Sequence, residues 1–274
     1  MKKVIFISLF FGTALLNLSC NKEDVAGSIS DVDLLTASAV SDYATESDFQ
    51  AAMESANDNG SLRYGDAATS LTSVAPCADV TFSGSTFPLT ITIDFGTGCT
   101  NDGITRSGIL TIALTGPLMQ SGTEMTIQRN NYYVNGYHIE GSVYYLNQTT
   151  DTAIPEWTRT ITNGHITNPS GAVFVHSGTR TVRQTEGVGT PLLLADNVFE
   201  ITAGSHTVTG PSGNSLTGTI TTPLIKKQSC EYISQGILHL DGSYLDGDLD
   251  YGNNDCDNLA VYTHSDGQSY TIHL

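Results

Sequence analysis

Over residues 76–274 short alternations of apolar and polar positions follow one another, rich in Thr, Val, Ile, Tyr and Phe and punctuated by Gly, Asn, Asp and Pro. A period of two puts alternate side chains on opposite faces of an extended strand. Residues 89–94, 108–114, 123–128 and 197–202 are plain examples. The turns are as legible. Val134-Asn135-Gly136-Tyr137 carries the two-residue hairpin signal, because Asn-Gly accepts the positive φ angles of a type I′ turn. Asn168-Pro169-Ser170-Gly171 and Gly210-Pro211-Ser212-Gly213 are near-identical tight turns, with Pro setting φ and Gly closing. Roughly fourteen strands are predicted, with no helix-length segment among them to make a βαβ crossover, so the fold class is all-β and antiparallel. A two-sheet sandwich and an open, barrel-like wrap both satisfy the pattern.

Upstream the period changes. Phe49, Ala52, Met53 and Ala56 recur at helical spacing, Thr45 and Asp48 resemble a capping box, and Gly60 follows, so one short helix is predicted over 41–59. Its apolar stripe is thin, so it should pack on the β-domain over 76–274 rather than stand alone. Residues 20–40 are small, polar and acidic and read as a flexible tether. Ahead of them Lys2 and Lys3 open a positive region, and 4–16 is an apolar stretch too short to span a bilayer, the layout of a cleaved signal peptide over 1–19. Cys20 follows Leu16-Asn17-Leu18-Ser19 and is the predicted lipidation site, although Asn17 stands where a lipobox prefers an aliphatic residue. No second apolar stretch of membrane length exists, so the membrane partner is reached through the lipid anchor alone.

The chain has 28 acidic and 11 basic residues, a formal charge of −17. That balance repels polyanions, so nucleic acid is excluded as a partner, and solubility in a hydrated surface layer accounts for it. Besides Cys20 there are Cys77, Cys99, Cys230 and Cys256. An even number in an exported chain predicts two disulfides, with three possible connectivities. None stands in a spacing that would hold zinc. An internal echo bears on the choice: Cys77 precedes Ile93-Asp94-Phe95-Gly96-Thr97-Gly98-Cys99, and Cys230 precedes Leu249-Asp250-Tyr251-Gly252-Asn253-Asn254-Asp255-Cys256. The economical pairing is Cys77 with Cys99 and Cys230 with Cys256, each bridge contributing roughly 3 kcal/mol. In both copies the Asp should accept backbone hydrogen bonds in the turn, and the Gly should permit a positive φ.

Asn21-Lys22-Glu23-Asp24, directly after Cys20, resembles the lysine-plus-acid signal that sends lipoproteins of Bacteroidota to the outer face of the outer membrane. Anchor, acidic helix and a β-body with Asp-Phe-Gly and Asp-Tyr-Gly turns beside cysteines together resemble an uncharacterised group of Bacteroidota surface lipoproteins, over most of the mature chain. The resemblance implies a lipid-anchored, outward-facing position in the outer membrane and a β-rich fold. It transfers no catalytic residue.

A search for chemistry finds little. There is no Gly-x-Ser-x-Gly elbow and no His-Glu-x-x-His, so no catalytic residue is assigned. The seven histidines are scattered singly and are expected on solvent-facing strand positions. No cofactor is predicted except a candidate calcium ion at Asp246, Asp248 and Asp250, which supply three oxygens at alternate positions. The same alternation describes an acidic strand edge that resists pairing. Tyr133, Tyr144, Tyr145 and Trp157 form an aromatic segment that would suit a glycan, since sugar C–H faces stack on rings; cross-strand packing explains the same residues. Thr-x-Thr pairs lack a fixed period, so a flat ice-binding face is not expected, and Asp151-Thr152-Ala153 resembles an O-glycosylation site. The expectation is a non-enzymatic surface lipoprotein with a binding or structural role, its partner a glycan or another envelope protein. The alternative is a glycan-acting hydrolase with unrecognised carboxylates.

Overall fold

A computed structural model describes residues 22–58, 76–84, 86–101, 103–190 and 193–274, with 22–31 and 58 described as backbone only. The predicted signal peptide over 1–19 and the predicted lipidation site Cys20 lie outside the described residues. One helix, α1 (Lys22–Asp58), precedes fourteen strands. In chain order these are β1 (Asp79–Ser83), β2 (Leu89–Asp94), β3 (Cys99–Asn101), β4 (Ile104–Leu114), β5 (Glu124–Val134), β6 (Tyr137–Asn147) and β7 (Glu156–Thr167). They continue as β8 (Val173–Glu186), β9 (Val198–Thr209), β10 (Ser215–Lys227), β11 (Gln235–Asp241), β12 (Asp246–Asn253), β13 (Leu259–His264) and β14 (Ser269–His273).

All fourteen belong to one antiparallel sheet, a meander from β1 to β14 in which β3 pairs with the start of β4. The all-β, antiparallel expectation holds, and a single continuous sheet selects the wrap over the sandwich. Asn135 (φ 48°) and Gly136 (φ 83°) make the expected hairpin turn between β5 and β6. The disulfides join Cys77 to Cys99 and Cys230 to Cys256, with Cα atoms 5.5 and 5.2 Å apart. The echo has one local structure: the Asp94 and Asp250 carboxylates accept the amides of Gly96 and Gly252, each at 2.8 Å.

Bulges interrupt the register of every neighbouring pair from β4/β5 through β11/β12. A bulge bends its strand and raises the local twist, so a run of them coils the sheet. At the β4/β5 bulge Gly108 has φ +83°, and a Cβ there would fall 2.0 Å from the Asn131 carbonyl oxygen. Only glycine fits that approach.

The coiled sheet closes around α1. Six consecutive helix residues, Ala44, Thr45, Glu46, Ser47, Asp48 and Phe49, are buried. At 3.6 residues per turn they pass through more than a full circle, so protein covers the helix on every side. The helix begins at Lys22 rather than at Ser41, and most of the expected tether is therefore helical. The reason lies in its contacts: Leu34, Leu35, Ala37 and Ser38 are buried, so the β-body stabilises turns that composition alone leaves open. Phe49 anchors the apolar part of the interface, with its ring 4.9 Å from Tyr145, 5.8 Å from Trp157 and 5.4 Å from Phe199. Burying such a ring contributes about 2–3 kcal/mol. No described helix is long and apolar enough to cross a membrane.

Candidate functional site

Two features inside the wrap carry chemistry. The first is a polar layer between α1 and the concave face. Strand alternation sends Arg129, Arg159 and Arg180 inward, and all three are buried. Each meets its own acid on the helix: Arg129 with Asp48 at 2.8 Å, Arg159 with Glu46 at 2.5 Å, Arg180 with Asp42 at 2.9 Å. Tyr132 donates its hydroxyl to Asp48 (2.9 Å), and Arg129 donates to Thr45 Oγ1 (3.2 Å).

Two histidines complete the layer. Arginine has only donors, so its 2.5 Å bond from Nη2 to His206 Nδ1 makes that nitrogen an acceptor. The proton of His206 is then on Nε2 and is donated to Ser38 Oγ at 2.5 Å. His176 Nδ1 is hydrogen-bonded to Ser41 Oγ. Burial pushes His176 down to about 3, helped by His206, and burial pushes His206 down to about 4 against the attraction of Asp42. Both rings are therefore neutral at neutral pH. Burial acts to raise Asp42, but Arg180 and the histidines outweigh it and hold the carboxyl well below the usual range. These two histidines depart from the expected solvent-facing positions, at 2% and 3% exposure, because their strand positions point into the wrap.

Among the described residues, only Asp42, His176 and His206 bring three possible metal-ligand atoms within 4.8 Å of one another. The Arg180 guanidinium lies among them, and the space left beside Asp42, Arg180 and His206 is about 10 Å³. The Arg180 cation already engages two of the three groups, Asp42 and His206, so the trio does not fit a divalent ion.

The second feature is a pair of adjoining cavities at the seam where the ends of the sheet approach each other across α1. The larger, about 400 Å³, has mainly apolar walls, among them Leu35, Val134, Ile233, Leu249, Tyr251 and Ile272. The smaller, about 310 Å³, is polar, bounded by Ser47, Gln50, Asn101, Arg106 and Gln228. Tyr43, Ile104, Lys226 and Glu231 line both. Cys99 and Cys230 stand at the smaller one, so each disulfide secures one lip of the seam.

Lys226 is 5% exposed, and its ammonium donates to the carbonyls of Lys227 (2.8 Å) and Cys230. Burial lowers its pKa against the pull of Glu46, Glu231 and Glu54. Arg106 donates to Ser47 Oγ and lies 5.6 Å over the Phe95 ring, while its Nε is buried without a hydrogen-bond partner. Among the described residues neither cation is in an ion pair.

The residues singled out from sequence lie elsewhere. Tyr145 (1% exposed) and Trp157 (0%) are core under the helix, whereas Tyr133 and Tyr144 are half-buried on the convex face. The four therefore do not share a surface. Tyr133 stacks on His138 with ring centres 4.5 Å apart, an ordinary cross-strand pair. Asp246, Asp248 and Asp250 point outward from β12 while Gly247, Leu249 and Tyr251 point inward. Successive outward positions on a strand are about 7 Å apart, and the carboxylates do not converge on one point. Asp248 instead meets His239 Nδ1 at 2.8 Å. The acids and bases of the helix–sheet layer, Arg106 and Lys226 were not anticipated. Comparison with protein families, with curated proteins and with solved structures finds no match to this chain.

Proposed function

We propose that this chain is a lipid-anchored protein of the outer membrane, facing outward, whose β-body binds a small molecule at the seam and catalyses no reaction. The observation that carries the binding part is the pair of adjoining cavities. Ligand sites are concave, mainly apolar, pre-formed and about 300–1,000 Å³ in volume, with a few polar groups that fix orientation. The seam has these properties.

The acids beside the larger cavity support a non-catalytic reading. Asp42 and Glu46 are each held by an arginine. A glycosidase needs one carboxyl that keeps its proton near neutral pH, and Asp42 is held firmly ionised. The anchor and the outward position rest on the N-terminal sequence alone.

A saturable fluorescence titration tests the binding part, using a naphthalene-sulfonate dye and residues 21–274, which include every described residue. Ala39, half-buried in the wall of the larger cavity, gives the control. Ala39→Trp should fill the space and abolish the signal while leaving the circular dichroism unchanged. No saturable binding in the parent protein, or full binding in the filled variant, overturns the assignment. Fatty-acid labelling that disappears in Cys20→Ser tests the anchor, and protease shaving of intact cells tests exposure.

A further inference from the structure

We propose that the seam ligand is an amphiphilic carboxylate, a fatty acid whose chain occupies the apolar cavity and whose head group is held by Arg106 and Lys226. This rests on the seam being a binding site and goes further by naming what it takes. The two cavities differ in chemistry and adjoin through Tyr43, Ile104, Lys226 and Glu231. A ligand spanning both must be apolar at one end and polar at the other.

The polar end is selected by charge. In this acidic chain the three arginines buried under the helix, Arg129, Arg159 and Arg180, each have a carboxylate of their own. Arg106 and Lys226 are in no direct ion pair among the described residues, although Asp48 attracts Arg106 and Glu46, Glu231 and Glu54 attract Lys226 from farther off. Lys226 is buried and Arg106 half-buried, so a carboxylate entering the cavity would gain direct charge-assisted hydrogen bonds that the neighbouring acids do not make with them. The free Nε–H of Arg106 gives the guanidinium a donor still to be used. Glu54 and Glu231 also border the polar cavity. They bring its local balance near neutrality, which favours a singly charged carboxylate over a doubly charged phosphate.

The apolar end is selected by volume. A methylene is about the size of a water, whose share of the liquid is about 30 Å³. The larger cavity, about 400 Å³, therefore has room for roughly a dozen carbons.

The test is displacement of the bound dye by dodecanoate, dodecanol and dodecyltrimethylammonium at pH 8, on residues 21–274 and on Arg106→Met and Lys226→Met. Dodecanoate should compete about ten-fold or more better than dodecanol, the scale of a charge-assisted hydrogen bond, and the ammonium should compete worst. Each variant should lose the preference for acid over alcohol while keeping its affinity for the alcohol. That ratio is internal to each protein, so a partly destabilised variant still reports; Lys226→Gln replaces a variant that does not fold. Equal competition by acid and alcohol, or an unchanged ratio in both variants, overturns the carboxylate. Dye that binds but is displaced by none of the three also overturns it, while leaving the seam a binding site. Failure of the dye itself to bind removes both.

Discussion

Acidification from pH 7.5 to pH 5 should weaken the fold through two residues, His176 and His206. Both are neutral and enclosed between α1 and the sheet, pushed to about 3 and about 4, whereas a histidine in the unfolded chain titrates near 6.5. Their folded values lie below their unfolded ones, so protons bind the unfolded chain in preference. The stability contributed by the neutral rings is complete above about pH 6.5, falls as the pH drops through that value, and is gone below the folded values. At pH 5 each histidine should have removed about 1.5 pH units' worth, or about 2 kcal/mol, and the pair about 4 kcal/mol. A typical domain has only about 5–15 kcal/mol in total. Asp42 works in the same sense but at lower pH: its contribution is present above the unfolded carboxylate value and is lost only as the pH falls below it, so it does not confuse the comparison. Urea unfolding followed by the fluorescence of Trp157, the only tryptophan, measures the difference at pH 7.5, 6 and 5. His176→Gln with His206→Gln should flatten the profile, and either substitution alone should remove about half of it. A parent protein equally stable at pH 7.5 and 5, or a double variant with the parent's slope, would refute the assignment.

Four further outcomes follow from the contacts. Asp48→Asn should lower stability by about 3–5 kcal/mol because it leaves Arg129 buried without its charge partner. Arg183→Ala, which removes the pair with Glu156 where the arginine is half exposed, should cost under about 1 kcal/mol in the same denaturation assay. Trp157→Ala should cost about 3–5 kcal/mol, and Tyr144→Ala on the convex face much less; comparable losses would contradict the placement of the two rings. Joint replacement of Cys77 and Cys99 by alanine should remove about 3 kcal/mol, read from the urea midpoint, with peptide mapping of the parent under non-reducing conditions confirming the bridge.

The strands, the Asn135-Gly136 turn and the echoed aspartate turns were legible because each is local: alternation, a two-residue conformational preference, and a side chain bonding two residues ahead. The helix–sheet layer was not, although its signal is in the same alternation. Met125, Ile127 and Arg129 occupy successive inward positions of β5, and Trp157, Arg159 and Ile161 do so on β7. An arginine in phase with buried apolar residues announces an enclosed charge that needs a partner. Read residue by residue it is one more polar position on a β-strand. The helix misleads in the same way. Asp42, Glu46 and Asp48 look like a solvated acidic face, because nothing local reveals that the opposing surface carries three arginines. The seam was out of reach for another reason: Arg106 on β4 and Lys226 on β10 are neighbours only once the sheet has coiled.

The polar layer explains why this helix is held in one place. An apolar rod in an apolar cup could slide or rotate at small cost, since methyl groups do not discriminate among one another. Here Asp42 and Glu46 are one helical turn apart and face Arg180 on β8 and Arg159 on β7. Sliding α1 by one turn would set Glu46 against Arg180, leave Arg159 without an acid, and move Asp42 away from every described arginine that now pairs with it. Each orphaned charge costs on the order of 3–5 kcal/mol, so the displaced registers lie well above the native one. The same logic makes α1 part of the β-body rather than an appendage. Without it Arg129, Arg159 and Arg180 would line a concavity together with no acid to neutralise them, and the sheet would have to open to water. The seam cavities share their floor with this helix through Tyr43, so the geometry offered to a ligand is fixed by the register that the ion pairs enforce.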